Sequence, residues 1–423
     1  MSSLDEQEWG QRVDRALATI TSGPAPAAAI LARGRRIRRR RRRIQGSAAS
    51  VAAVAVVAAA VPLLNGVLGH TPPAKPTPPA SKTLYVVNSN PGGPGTVTPI
   101  TLATNKPGPA IPVGKSPIGI AVTPDGKTAY VSNDSSPGTV TPIATATGQA
   151  GPPIKIGPFA AMMAITPNGK TGYVITGRGP GAEGGAVRVV DLATNKPGKL
   201  IKVGSYPTAV AVAPDGRTAY VADTGTSLVT PINVATGTPG PPIRVGRAPG
   251  DIAFSKDGKT AYVANGNVGT VTPINTATNR PGKPIKVGNG PVLIAVTPDG
   301  DTAYVVNTAS STVTPINTAT NRPGTPIKVG SNPVGIVFTP DGRTAYVVNV
   351  GNSVTPIDTA TNRPGSPIKV GGGPRAIVIT PDGKTVYVAS GNSGTVTPIN
   401  TATNRPGEPI HVGSFPWALA LVP

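Results

Sequence analysis

The chain has 423 residues with 53 Gly, 51 Pro, no Cys, only two histidines (His70 and His411) and a formal charge of +21. The lack of cysteine excludes disulfides and thiolate metal sites, and two histidines leave little room for imidazole catalysis or metal binding. The charge is uneven: from residue 83 onward 26 Lys and Arg face 14 Asp and Glu, and most of the remaining excess sits in one arginine run.

Residues 1–32 form a short segment in which Ser3 and Glu6 have capping-box spacing. Trp9, Val13, Leu17 and Ile20 recur on one helical face. A marginal amphipathic helix is expected over 4–20, lying on a membrane or docking a cytoplasmic partner. Residues 33–43 follow with nine arginines in eleven positions, including the unbroken Arg38, Arg39, Arg40, Arg41, Arg42 and Arg43. Residues 46–68 are rich in Ala and Val and uncharged. About 20 such residues span the roughly 30 Å hydrocarbon layer as one helix.

Arginines resist translocation, so the run is topogenic: the N-terminus stays in the cytoplasm and everything after residue 69 lies outside. A nucleic-acid patch and a cleaved signal peptide with secretion are the alternatives. The expected partner is therefore the membrane, crossed once, with no nucleic acid. Residues 69–82 carry five prolines between His70 and Lys82 and read as an extended spacer.

Residues 83–423 hold eight copies of a unit of about 42 residues. The clearest copy runs Gly290-Pro-Val-Leu-Ile-Ala-Val-Thr-Pro-Asp-Gly300, then Thr302-Ala-Tyr-Val-Val-Asn307, Ser311-Thr-Val-Thr-Pro-Ile-Asn317, Asn321-Arg-Pro-Gly324 and Pro326-Ile-Lys-Val-Gly330. Four strand-like segments per period predict an all-β, closed β-propeller of eight four-stranded blades, with seven as the alternative if one unit is irregular. Pro-Asp-Gly is a hairpin turn whose aspartate caps the backbone. The tyrosine of each following strand (Tyr85, Tyr130, Tyr173, Tyr220, Tyr262, Tyr304, Tyr346, Tyr387) is expected to pack between blades. Pro-Gly in Asn-Arg-Pro-Gly is expected to form a type II turn joining the third and fourth strands. One strand is missing at the start and one is spare at the end, so Trp417–Val422 should complete the first blade and remove the open edges.

Tyr-Val-x-Asn behind a Pro-Asp-Gly hairpin, as in Tyr262-Val-Ala-Asn265 and Tyr346-Val-Val-Asn349, resembles the YVTN family of β-propeller repeats in a membrane-anchored bacterial form. That resemblance implies a surface-layer-like or periplasmic propeller and says little about activity. Propeller lactonases and streptogramin B lyases look similar in outline, and the lyases depend on histidine and glutamate. Here the one histidine of the repeats, His411, stands where other copies have Lys286, Lys328 or Lys369. The expectation is thus no enzyme, no catalytic or metal residue and no cofactor.

Two places suggest binding. The cations Lys106, Lys196, Arg280, Arg322, Arg363 and Arg405 should form a basic ring on the hairpin face, suited to an anionic envelope polymer. The enlarged loop 177–185 places Arg178 and Glu183 on the opposite face. The expected function is a membrane-anchored extracytoplasmic binding or scaffold module for an envelope polymer or protein. A lactonase- or lyase-like enzyme and a transmembrane sensor with a cytoplasmic partner are the alternatives.

Overall fold

The computed structural model describes residues 83–90, 93–177 and 184–422. The amphipathic segment, the arginine run, the apolar stretch and the Pro-rich spacer lie outside the described residues, as do Arg178 and Glu183. Among the described residues there is no helix that could cross a membrane, and the structure is strand and turn throughout.

The strands form eight antiparallel sheets, one per repeat. In the sixth blade the inner strand is Pro291–Val296, the second Thr302–Asn307 and the third Thr312–Asn317. The outer strand is split into Arg322–Pro323 and Ile327–Lys328. The split follows from chemistry. Proline lacks an N–H and interrupts an edge ladder, and Pro326 falls between the two pieces. The third blade has Leu200 at this place, and its outer strand runs unbroken over Lys196–Val203.

The ring closes as the strand count requires. Pro416–Val422 pairs antiparallel with Thr83–Asn88, with Leu84 opposite Leu421 and Tyr85 opposite Ala420. There are eight blades, and no inner edge is left open.

The hairpins use their aspartate, or Asn168 in the third blade, as a turn former. Thr123 Oγ1 donates to Asp125 Oδ1 at 2.6 Å, the Lys127 amide donates to the same oxygen at 3.1 Å, and Gly126 takes φ 71°. The Thr123 hydroxyl and the Lys127 amide together hold the Asp125 carboxyl below its ordinary pKa.

The other turn departs from expectation. Asn279, not the Pro-Gly pair, takes the left-handed conformation at φ 56°. Its amide donates to Asn275 O at 2.8 Å, while the Thr278 amide donates to Asn275 Oδ1 at 3.0 Å. Arg280–Pro281 is already outer strand, and Gly282 N donates back to Pro273 O at 2.7 Å. A type II turn needs positive φ at its glycine; here the asparagine supplies it one step earlier.

That asparagine also joins blades. The hydroxyl of Tyr262 donates to Asn321 Oδ1 of the next blade at 2.9 Å, and Tyr387 closes the ring onto Asn105 at 2.6 Å. Tyr130, Tyr220, Tyr304 and Tyr346 make the same bond to Asn195, Asn279, Asn362 and Asn404. All eight tyrosines are buried. Burial raises the phenol pKa of Tyr220, Tyr262 and Tyr346 to about 12, so each remains a donor.

Candidate functional site

The two faces follow from the register. Inner strands end at the Pro-Asp-Gly hairpins, and third strands end on the same face. Second strands end, and inner strands begin, on the opposite face, as Pro374 opposite Ser390 shows.

On the hairpin face the charges of four turns pair off, while the sixth-blade turn carries Asp299 and Asp301. Asp125 meets Lys127 at 3.9 Å, Asp257 meets Lys259 at 3.5 Å, and Asp341 meets Arg343 at 3.9 Å. Lys106, Lys196, Arg280, Arg322, Arg363 and Arg405 are all exposed, but the structure corrects their placing. Each opens an outer strand, Arg280 lying opposite Asn275, so they encircle the side wall at its hairpin-face end. A second tier stands at the other end of that wall: Lys155, Lys202, Arg244, Lys286, Lys328 and Lys369, all exposed, with Lys286 opposite Thr270. Asp191 and Asp358 partly offset Lys196 and Arg363, whose charges help to lower the two carboxyl pKa values behind hydrogen bonds from Thr194 and Thr361. The result is a two-tier cationic belt around the wall.

The opposite face is built on asparagine. In the fifth blade Asn265 Nδ2 donates to Thr270 Oγ1 at 3.1 Å and Thr272 Oγ1 at 2.9 Å, tying the second loop to the third strand. The blade-to-blade link presses against it. A Cβ on Gly246 would stand 2.6 Å from Asn265 Cγ, so that close approach requires glycine. Asn88, Asn133, Asn307 and Asn349 make equivalent bonds in their blades. The fourth blade has Asp223 instead, fully buried, with Oδ2 accepting from Thr230 at 2.6 Å. Burial outweighs the Thr230 hydroxyl and the Gly204 N–H and raises its pKa to about 6.

Inner strands begin with a β-bulge at the residue after the first proline: Ile118, Thr208, Gly250, Val292, Val334, Arg375 and Trp417 in seven blades. A bulge re-aims the side chain it carries. In the fourth blade Thr208 thereby lies against Thr224 of its own second loop (2.6 Å) and Pro249 O of the next blade (3.3 Å). In the eighth blade the same position holds Arg375, 1% exposed. Its Cζ lies 4.6 Å from the centroid of Trp417 and 5.2 Å from that of Phe415, both of the first blade.

No acceptor among the described residues meets Arg375 Nε, Nη1 or Nη2. Burial lowers its pKa to about 10, which leaves it charged near neutrality. Stacking contributes about 2 kcal/mol, whereas each unsatisfied buried donor costs about 1–3 kcal/mol. The rings alone do not compensate the ion.

One residue further along the inner strand, the fifth blade carries Asp251, buried, where other blades have Ala209, Leu293 or Ala376. Its Oδ2 accepts the Ile294 N–H of the next blade at 2.9 Å, and burial raises its pKa to about 6. Asp223, Asp251 and Arg375 were not singled out from sequence. The available signal was a charged residue in a repeat column otherwise filled by asparagine or by small and apolar side chains. Among the described residues no cluster of His, Asp and Glu could hold a metal.

No protein-family model matches the chain, and no curated protein matches it. Solved structures do. Kuenenia stuttgartiensis hydrazine synthase aligns at TM-score 0.55 with 26% identity, over 68% of this chain and 96% of that one. Dihydro-heme d1 dehydrogenase NirN, in complex with DHE, aligns at TM-score 0.70 with 16% identity, over 84% and 78%. A functionally unknown protein from Desulfotomaculum acetoxidans DSM 771 aligns at TM-score 0.58 with 17% identity, over 81% and 99%.

These likenesses establish the propeller fold. They also correct one expectation. Two of the three neighbours bear the names of enzymes, so the inference from scarce histidine to no enzyme does not stand. The repeats also hold buried ionisable groups with no opposite charge beside them among the described residues, namely Arg375, Asp223 and Asp251.

Proposed function

We propose that the chain is a membrane-anchored propeller of the YVTN type, standing outside the cytoplasm and binding an anionic polymer of the cell envelope. The observation that carries this reading is the two-tier cationic belt on the side wall. Its members are spaced by the blade repeat, so a long polyanion can meet several at once while no single contact is strong. Such binding is field-driven: it gathers avidity from many weak contacts and fades as salt screens them.

The test uses the full chain in detergent micelles with purified teichoic acid, followed by co-sedimentation across a salt series. Binding should fall steeply between about 50 and 500 mM salt, where the screening length shortens to a few ångströms. Replacing Arg280, Arg322, Arg363 and Arg405 together by Gln should weaken it at least about tenfold, the equivalent of about 1.4 kcal/mol. Binding indifferent to salt, or unaltered by the four replacements, would remove the basis for the proposal.

A further inference from the structure

We propose that Arg375, with Phe415 and Trp417, anchors a second binding site, for a small molecule bearing a carboxylate or phosphate, at the seam between the eighth and first blades. This site is on the asparagine-built face, away from the side wall, and does not depend on the polymer-binding reading.

Three observations converge. The guanidinium Cζ lies over two aromatic rings, and the N–H edge of a guanidinium suits a planar or tetrahedral oxyanion. That edge meets no acceptor among the described residues, and Trp417 Nε1, another buried donor on the same rings, meets none either. Among the described residues no carboxylate pairs with Arg375, so an incoming anion would find an uncompensated charge.

The cover over the site is built of glycine. A Cβ on Gly391 would come within 2.9 Å of Arg375 Nε. As in the fourth to seventh blades, two backbone bonds hold the second loop to the link, here Gly391 N to Gly373 O at 2.9 Å and Asn392 N to Gly372 O at 3.0 Å. Parting that pair admits a ligand from the loop face without disturbing an inter-blade core. Beneath the loop, Ser390 stands where five other blades have the asparagine that ties second strand to third, and its hydroxyl has no partner. Ser393 fastens the loop instead, through Thr395 Oγ1 at 2.8 Å and Ser390 O at 3.3 Å, so the link side is where the loop can part.

The chain has two tryptophans, Trp9 and Trp417, so Trp9→Phe makes Trp417 the sole reporter in the full protein. Its emission is titrated with sodium phosphate and, separately, with sodium acetate, at ionic strength held constant with chloride. A saturable change with either ion is expected. Phosphate acting at lower concentration identifies a phosphate-bearing ligand, and acetate a carboxylate-bearing one. Arg375→Met should raise the half-saturation concentration at least about tenfold, the loss of a charge-assisted bond. In chloride alone it should melt no lower than the parent, because it removes an uncompensated buried ion. The proposal is overturned if neither oxyanion gives a saturable signal, or if the Met variant responds like its parent. A lower melting point of that variant in chloride also overturns it, since the arginine would then be a structural cation held by its rings.

Discussion

Asp223 occupies a position that five blades give to asparagine, and the difference is one of charge in the same buried cradle. A carboxyl whose folded pKa is about 6 but whose unfolded value is about 3.9 binds its proton more tightly in the native state. Stability is then greatest below about pH 4 and falls as pH rises to about 6. Asp251 acts with the same sign. The hairpin aspartates, with lowered pKa values, act in the opposite sense and only below about pH 4. Asp223→Asn should flatten the decline between pH 4 and 6 and stabilise the protein at pH 7 by about 1–2 kcal/mol. The gain stays below a full two-unit shift because Leu228 stands where Thr270 would give the amide a second partner. Urea unfolding at pH 4.5 and pH 7 measures this; an unchanged difference between the two would contradict it.

At this scale a role is legible in the sequence where adjacent residues fix it. Turn aspartates and core tyrosines were readable because their neighbours define their roles. Asp223, Asp251 and Arg375 were not, because their meaning depends on burial and on contacts from the adjoining blade.

The tyrosine–asparagine clasp is the recurring device between elements, and two blades lack it. Gly148 and Gly237 stand where the others have asparagine, with φ of 67° and 60°, so Tyr85 and Tyr173 have no such partner. An asparagine tolerates this conformation, as its equivalents do at φ 54–57°. A Cβ at Gly148 would meet nothing nearer than Ile111 Cδ1 at 3.7 Å. Gly148→Asn should therefore stabilise by about 0.5–1.5 kcal/mol, and Tyr387→Phe should destabilise by a similar amount. Thermal melts of the two single variants and of their combination check both signs; destabilisation by Gly148→Asn would show that the clasp is not transferable. Strand order and hairpins were plain in the sequence because apolar runs and Pro-Asp-Gly are local signals. The long turn was misread because the asparagine and the Pro-Gly pair compete for the same positive-φ role, and only the register decides between them.

At the scale of the molecule, the ring depends on its last strand. Removing residues 416–423 would expose the edge of Thr83–Asn88 and strip the seam of Trp417, Leu419 and Val422, all buried. Burial of three such side chains is worth about 5 kcal/mol or more. The truncated chain should lose its single cooperative melt and associate through the bare edge, seen by size-exclusion chromatography. A monomer with unaltered melting would mean that the ring is not held at this seam.

The placing of that ring outside the cytoplasm is the claim on which the functional reading rests. The chain has no cysteine, so a single introduced thiol reports its own compartment. Lys283→Cys, at an exposed position between the two pieces of the fifth blade's outer strand, is expected to react with a membrane-impermeant maleimide in intact cells, while Ser3→Cys reacts only after lysis. Protection of the Lys283→Cys thiol until the cells are broken would contradict the account.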